Sequence, residues 1–141
     1  VLPSWTSCMP SQPFDLSPAL AEFLTERHLA SLTTLRADGS PHVVPVGFSF
    51  DVASSEVRII TFDGSQKVAN ARRGGRAAVS QVDGGRWVTL EGTVRATSEA
   101  SEVAMAVAGY AARYQQPKER DNRVAIVITI DRILCGKMLK G

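Results

Sequence analysis

The sequence of 141 residues lacks the features that several large classes of protein require. It has only two cysteines, Cys8 and Cys135, which are far apart and have no partner at the spacing of a metal-ligand pair or a redox motif. We therefore expect no disulfide framework, and we expect a reducing cytoplasmic location. No apolar run approaches the roughly 20 residues of a membrane-spanning helix, and the first residues do not resemble a secretory signal.

Signatures of common catalytic sites are also missing. The sequence has no GxGxxG between a strand and a helix, no P-loop, no HExxH and no GxSxG. His28 and His42 stand alone, and a lone histidine at a strand start is more often structural than catalytic. Glu91, in the middle of a strand, is expected to face solvent or to be ion-paired. The side chains are not equipped for hydrolysis or acyl transfer, so an enzyme built from them needs a cofactor.

Charge and length set further bounds. With 16 basic and 14 acidic residues the formal net charge is only +2, so a basic site must be local and indiscriminate nucleic-acid binding is not expected. The length suits one globular domain. We expect this domain over residues 15–141, after a flexible leader, residues 1–14, that is rich in Pro and Ser.

Strand patterns dominate the chain after a short first helix. Ser17 and Pro18 provide an N-cap and a first-turn proline, and apolar residues follow at helical spacing. The Asp38–Gly39 turn should join two strand-like runs, HLASLTTLR and HVVPVGFSFD, into an antiparallel hairpin. The strand, turn, strand pattern then continues to about residue 97 through VRIITF, AAVSQVD and RWVTLEGTVRA.

The C-terminal part combines a helix with the most apolar strand. Ser98, followed by a glutamate and by apolar residues at every third or fourth position, predicts an amphipathic helix to Tyr114 whose alanine-rich face packs on a sheet. The run RVAIVITIDRIL is apolar on both faces, and we expect a second copy of the chain to cover its outer face. Six strands and two helices predict a mainly β protein, a small barrel without exposed edge strands.

One short segment, TFDGSQKVANARRGGR, collects positive charge directly after a strand. The Asp63–Gly64 turn leads to Ser65, which is placed to cap a short helix that begins at Gln66. The amino end of a helix attracts anions, and a lysine there, Lys67, is unfavourable to the helix dipole. Such local conflicts tend to mark function. The spacing alone leaves two interpretations open, a phosphate site and a solvated basic face.

The order of these segments resembles a known superfamily. Between about residue 16 and residue 136, the runs HLASLTTLRADGSPHVVPVGFSFD, VRIITFDGSQKVANARR and VDGGRWVTLEGTV resemble the split β-barrel flavin-binding proteins typified by pyridoxamine 5'-phosphate oxidases. The runs GSQKVANA and SQVDGGRWVTLEG look particularly like the F420-dependent biliverdin reductases of the actinobacterial branch. The resemblance implies a split β-barrel homodimer with two cofactor sites at the subunit interface.

The resemblance also implies site residues. In the family, the cofactor ring lies along the strand here written VVPVGF and contacts the next strand, and the following loop holds the phosphate-bearing tail, which favours the phosphate site. A basic residue at the start of the last strand reaches the cofactor. A tryptophan in GGRWV is a wall of the pocket in one interpretation and a core residue in another. The matching positions are Val44, Pro45, Val46, Ile60, Thr61, Ser65, Gln66, Lys67, Trp87 and Arg123.

One departure separates the chain from flavin-using members. Those oxidases, which resemble this chain in the order of their segments, carry an arginine on the strand here written HVVPV, where this chain has Val44. They also carry a Ser-Arg-Lys phosphate loop, where this chain has Ser65, Gln66 and Lys67. The difference favours F420 over FMN. The F420 tail carries a phosphodiester and several glutamates, for which three arginines would form a basic track. They are Arg72, Arg73 and Arg76.

The reaction that the resemblance implies is a hydride transfer from C5 of the reduced deazaflavin to a conjugated acceptor, such as biliverdin, with a proton from solvent or a nearby cation. No catalytic side chain is assigned, and Arg36, Arg58 and Arg86 are candidates for contacts with the two propionates. The alternatives are an FMN-dependent oxidase and a noncatalytic flavin- or haem-binding barrel. For a haem, His28 and His42 are the only histidine ligands available.

Overall fold

The computed structural model describes residues 14–140, which form one sheet flanked by helices. The predicted leader lies outside the described residues except for Phe14, which packs against the core. The α-helices are α1 (Pro18–Phe23), α2 (Gln66–Arg73) and α3 (Ala100–Arg113). The strands are β1 (Ala30–Leu35), β2 (Pro41–Val46), β3 (Ser49–Asp51), β4 (Glu56–Phe62), β5 (Arg76–Asp83), β6 (Arg86–Thr97) and β7 (Arg123–Cys135), and a 3-10 helix spans Lys137–Leu139.

The seven strands pair antiparallel in the order β2-β1-β5-β6-β7-β4-β3. The two edge strands of this sheet, β2 and β3, are consecutive in sequence, and only Gly47 and Phe48 lie between them. Because so short a connection spans about 10 Å at most, the sheet has to roll until its edges approach each other. No strand pairing joins the two edges within the described residues. The predicted split β-barrel is confirmed, but the expected absence of edge strands is wrong, because β2 and β3 remain edges of the sheet.

The connection between β2 and β3 corrects the predicted single strand HVVPVGFSFD. The side chain of Phe48 is fully buried, and a Cβ atom added to Gly47 would lie 3.0 Å from the Tyr110 ring. The chain therefore passes close under α3 at this point and leaves one sheet edge for the other. The first part of the run pairs with β1, as predicted, while Ser49 begins a strand that pairs with β4.

From Val124 to Ile128, strand β7 is buried on both faces within a single chain. Ile126 and Ile128 point into the barrel core, whereas Ala125 and Val127 form a separate cluster with Ala106 of α3. The predicted cover by another subunit is wrong for Ala125 and Val127, because the alanine-rich face of α3 folds back onto them. The small side chains on both sides allow the helix to approach the sheet closely.

The helix caps agree with the sequence at two of three positions. Ser17 and Ser65 are the N-caps of α1 and α2, and each accepts a hydrogen bond from a backbone amide of the first turn. The prediction of Ser98 for α3 is wrong, since Glu99 is the N-cap and accepts from the amides of Ser101 and Glu102. No helix within the described residues is long and apolar enough to cross a membrane.

Candidate functional site

An open groove of about 470 Å³ lies where β2 and β4 meet α2, α3 and the loop that precedes β7. Because the sheet is rolled, β2 at one edge and β4 near the other edge both contribute to the groove. The lining residues are Pro45, Val46, Gly47, Ile60, Thr61, Phe62, Lys67, Tyr110, Pro117, Lys118, Arg120 and Arg123.

Six of the ten predicted site residues line this groove. The register explains part of the assembly, since Thr61 of β4 lies opposite Val124, the neighbour of the predicted basic residue of β7. The two apolar strands form the walls and α2 brings a positive charge to one end. The six residues are Pro45, Val46, Ile60, Thr61, Lys67 and Arg123.

Three predicted residues lie beside the groove and do not line it. The side chain of Val44 packs against the barrel core. The hydroxyl of Ser65 accepts a hydrogen bond from the backbone amide of Val68 at 3.4 Å. The side-chain amide of Gln66 donates to Oδ1 of Asn70 at 2.8 Å. These side chains fix the ends of β2 and α2, so their contact with a cofactor stays a prediction.

Trp87 lies far from the groove within one chain. It is the second residue of β6, opposite Val82, and its indole ring lies against Gly136, beyond the end of β7. The groove adjoins the other end of β7, about 40 Å away along the strand at about 3.3 Å per residue. The ring is 38% exposed, so Trp87 is not a core residue. Its role as a pocket wall requires a second chain and stays a prediction.

Thr61 gives the groove an unsatisfied polar group. Its side chain is only 5% exposed, and Oγ1 is buried without a hydrogen-bond partner among the described residues. A buried hydroxyl without a partner lowers stability, and native structures rarely contain one unless a water or a ligand completes it. Since Thr61 lines the groove, this hydroxyl is available to a polar edge of a bound molecule.

The groove lining has four cations and no carboxylate, in a chain whose basic and acidic residues are nearly balanced. None of the four, Lys67, Lys118, Arg120 and Arg123, forms a salt bridge with another described residue. Arg123 donates instead to the backbone carbonyl of Lys118. The positive charge is thus left for a ligand, and the groove fits a molecule with an apolar flat part and an anionic part.

The predicted basic track is different, because each of its arginines has a partner within the chain. Arg72 and Arg73 end α2, and Arg76 begins β5. Arg72 lies 2.8 Å from a carboxylate oxygen of Asp63, and this hydrogen bond holds the pKa of Asp63 below its usual value. Arg73 donates to a backbone carbonyl of β1 at 2.7 Å. Arg76 forms two hydrogen bonds with Asp131. None of these arginines lines the groove.

The arginines predicted to contact propionates are also occupied elsewhere. Arg58 and Arg86 each lie between two carboxylates, and Arg36 donates to the carbonyl of Pro41 at 2.6 Å. The carboxylates belong to Asp51 and Glu56 for Arg58, and to Glu26 and Asp83 for Arg86. The structure brings none of the three arginines to the groove, so within one chain they do not form the predicted substrate contacts.

The C-terminal end of α3 supports the floor of the groove. The hydroxyl of Tyr114 donates to the carbonyl of His28 at 2.6 Å and accepts from the amide of Phe48 at 3.2 Å. The rings of Tyr110 and Tyr114 lie 4.9 Å apart and pack over Gly47, where no larger residue fits without movement. Tyr110 itself lines the groove. The helix therefore holds the two-residue connection that joins the two edges of the sheet.

A charged cluster of Glu26, His28, Asp83 and Arg86 joins the segment after α1 to the turn between β5 and β6. Arg86 lies 2.7 Å from Glu26 and 2.6 Å from Asp83, and Nε2 of His28 lies 3.0 Å from Glu26. Hydrogen bonds from Arg86 and then His28 lower the pKa of Glu26 from 4.5 to about 2. The arginine occupies both carboxylates, so this cluster is an ion-pair network rather than a metal site.

Sequence reasoning missed Phe62, Tyr110 and the loop residues Lys118 and Arg120. The loop reads KERDNR from residue 118 to residue 123, an alternating pattern that is typical of a solvated surface. The tyrosine occupies an ordinary position in an amphipathic helix. Only the folded chain shows that the basic side chains of the loop reach the groove and that its acidic ones do not.

These features place the chain in a family. A family model for pyridoxamine 5'-phosphate oxidase matches residues 16–134, and the chain belongs to this family. It is 52% identical over 119 residues to the F420H2-dependent biliverdin reductase of Mycobacterium tuberculosis, a match that covers 84% of this chain and 87% of that protein. The resemblance to such reductases predicted from the sequence is confirmed.

Solved structures agree on the fold. A conserved hypothetical protein of Mycobacterium tuberculosis superposes with a TM-score of 0.70 at 23% identity, covering 89% of this chain and 88% of that one. A protein described as an F420 reductase superposes with a TM-score of 0.68 at 21% identity, covering 84% of this chain and 98% of that one. Such low identities show the fold alone.

Proposed function

We propose that the chain is an F420H2-dependent reductase that reduces a conjugated tetrapyrrole, biliverdin, to bilirubin. The observation that carries this proposal is the groove, where four cations without a carboxylate partner among the described residues, and one hydroxyl without a hydrogen bond to them, lie beside apolar strand walls. The reductase of Mycobacterium tuberculosis, more than half identical to this chain, supports the choice of cofactor and acceptor. A cytoplasmic location, expected from the two separated cysteines, is part of the proposal.

The residues of the groove fit the two parts of the cofactor. Val46 and Ile60 provide apolar walls for a flat ring, and the Thr61 hydroxyl can complete its hydrogen bonding at a polar ring edge. Lys67, at the amino end of α2, is placed to bind the phosphate of the tail. Arg123 adds a second cation at the start of β7. When bound, the deazaflavin supplies the hydride, for which no side chain of the chain can substitute.

The protonation of the reduced acceptor is left to a cation or to solvent. The titratable side chains that line the groove are those of two lysines, two arginines and Tyr110, and no carboxylate or histidine is among them. The chain therefore contributes position and charge rather than an acid and base pair. We assign no catalytic side chain.

The proposal includes a homodimer. The outer face of the sheet formed by β1, β2, β5 and β6 exposes four large apolar side chains, and Ser31, Thr33, Ala78 and Ser80 between them are small. The exposed fractions are 42% for Leu35, 58% for Val43, 68% for Val82 and 38% for Trp87. Exposed apolar surface of this kind favours an interface. Pro45 belongs both to this face and to the groove, so a second chain seated there would border the cofactor.

The test is equilibrium binding of the purified protein to F420 and FMN in parallel, followed by anaerobic mixing of the reduced, bound F420 with biliverdin. We expect tight binding of F420, weaker binding of FMN, and loss of biliverdin absorbance together with oxidation of the cofactor. Preference for FMN would favour an oxidase of the same fold. Tight F420 binding without turnover would leave a carrier protein and would refute the reductase.

A further inference from the structure

We propose that Lys118 and Arg120, with Lys67 across the groove, form a clamp that selects cofactors by their anionic tail. The inference rests on the proposed function and adds a specificity-determining element to it. The two residues lie on the loop between α3 and β7, and Arg123 ties this loop to the start of β7 by donating to the carbonyl of Lys118. The loop is therefore attached to the groove and does not project freely from it.

The ring of Phe62 holds the two sides of the clamp together. It ends β4 and is 40% exposed. The guanidinium of Arg120 lies 4.4 Å from the ring centroid, and Nζ of Lys67 lies 5.8 Å from it. A cation near an aromatic face at an exposed site is attracted to it. One ring thus brings together two cations that come from elements far apart in sequence, α2 and the loop.

No carboxylate among the lining residues neutralises this pair of cations. Glu119 and Asp121 belong to the same loop, but they line only a neighbouring cavity of about 340 Å³, which Lys118, Arg120 and Arg123 border as well. The basic side chains of the loop therefore reach both the groove and this cavity, whereas the acidic ones do not line the groove. Two like charges held on one ring repel each other, and an anion between them removes this repulsion.

The number of negative charges on the ligand decides how much of the clamp is used. A chromophore without a tail has no anion for Lys118 or Arg120. A flavin with a single terminal phosphate is satisfied by Lys67 and the amino end of α2. A phosphodiester followed by several glutamates extends past Lys67 and reaches the loop. The clamp therefore distinguishes the tailed deazaflavin from its tail-less chromophore and from FMN.

The test compares dissociation constants, measured by fluorescence, for F420, for its chromophore without phosphate and glutamates, and for FMN. The double variant Lys118→Ala with Arg120→Ala should bind F420 about 10-fold or more weakly, the loss expected when charge-assisted contacts are removed. Its affinity for the tail-less chromophore should stay within about 2-fold, since that ligand has no group for the clamp. The affinity of the unaltered protein for F420 should also fall more steeply with salt than that of the double variant.

Three controls make the result decisive. Arg120→Lys keeps the charge and should retain most of the F420 affinity of the unaltered protein. Glu119→Gln changes a neighbouring charge that does not line the groove and should leave both affinities within about 2-fold of the unaltered protein. Thermal unfolding of each variant shows whether the loop change disturbs the fold. Equal losses for the tailed and tail-less ligands, or no loss for either, would overturn the clamp. If the unaltered protein binds no F420, the proposed function fails and the clamp with it, whereas failure of the variants alone removes only the clamp.

Discussion

Two sets of positive charge lie close together on this molecule, and they differ in whether the chain itself neutralises them. Arg72 and Arg76 face the carboxylates of Asp63 and Asp131, and Arg73 is held by a carbonyl of β1. The second set consists of the four groove cations, which have no carboxylate partner among the described residues. These four are Lys67, Lys118, Arg120 and Arg123.

The difference shows that charge density in the sequence is a weaker guide to a ligand site than charge without a partner in the fold. An exposed ion pair contributes little to stability, about 0–1 kcal/mol, but it does remove both charges from use by a ligand. The arginine-rich helix end therefore fixes α2 to its surroundings. The sparser set, divided between a helix and a distant loop, creates the positive field in the groove.

The largest effect should come from Lys67→Ala. The variant should bind F420 about 10- to 100-fold more weakly, because a hydrogen bond to a charged group contributes roughly 1.5–3 kcal/mol and 1.4 kcal/mol is tenfold in affinity. The fold should not change, because the side chain of Lys67 forms no hydrogen bond or salt bridge with another described residue and only approaches the Phe62 ring, at 5.8 Å from its centroid. Fluorescence titration and thermal unfolding of the same preparation measure the two quantities. Unchanged affinity would remove the amino end of α2 from the site.

A second test addresses the floor beneath the cations. Tyr114→Phe removes a hydroxyl that donates to His28 and accepts from Phe48, and burial raises the pKa of this phenol. The free energy of unfolding should fall by about 1–3 kcal/mol, because both buried backbone groups lose their partner. F420 binding should weaken moderately, as the connection between β2 and β3 loosens. Denaturant unfolding measures the loss.

Tyr110→Phe is the matched control for Tyr114→Phe. The Tyr110 ring lies in the same pair, but its hydroxyl donates to no residue within residues 14–140. The free energy of unfolding of Tyr110→Phe should therefore stay within about 0.5 kcal/mol of that of the unaltered protein. Equal losses in the two variants would show that ring packing, and not the two hydrogen bonds of Tyr114, fixes the connection.

The paired charges elsewhere in the barrel predict a dependence of stability on pH. The pKa of Glu26 is about 2 in the folded chain and its usual value is 4.5. The ionised form therefore stabilises the fold above about pH 4.5, and this contribution is lost as the pH falls toward 2. The thermal midpoint of Glu26→Gln should fall less between pH 6 and pH 3 than that of the unaltered protein. Parallel slopes for the two proteins would show that the Arg86 contact does not contribute to acid stability.

Local chemistry made much of the fold predictable from the sequence. The caps Ser17 and Ser65 and the Asp38–Gly39 hairpin depend on neighbouring residues, and the structure has all three. The break at Gly47 was not predictable, because the ring that demands a glycine there belongs to Tyr110 on α3. The packing of α3 on β7 was not predictable either, since nothing in the sequence of the strand shows whether a helix of its own chain or a second subunit covers it.

The candidate site divides in the same way. Lys67 conflicts with its own helix dipole, a local signal, and the groove contains it. The state of Arg76 depends on Asp131, which is 55 residues away in sequence and joins it only through the sheet. Pairing of this kind cannot be deduced from composition. The resemblance to a family supplied strand positions such as Ile60 and Thr61, for which no residue pattern argued.

The smallest effect should come from Arg76→Ala, which removes a paired cation of nearly the same chemistry as those in the groove. Arg76 is half exposed and binds Asp131 through two hydrogen bonds. The stability should fall by about 0–1 kcal/mol, as for other exposed pairs. F420 affinity should stay within about 2-fold, because the side chain does not line the groove. A loss of F420 affinity as large as that of Lys67→Ala would mean that the ion pair between Arg76 and Asp131 opens when the ligand binds. A partner within the chain would then no longer distinguish the paired arginines from the groove cations.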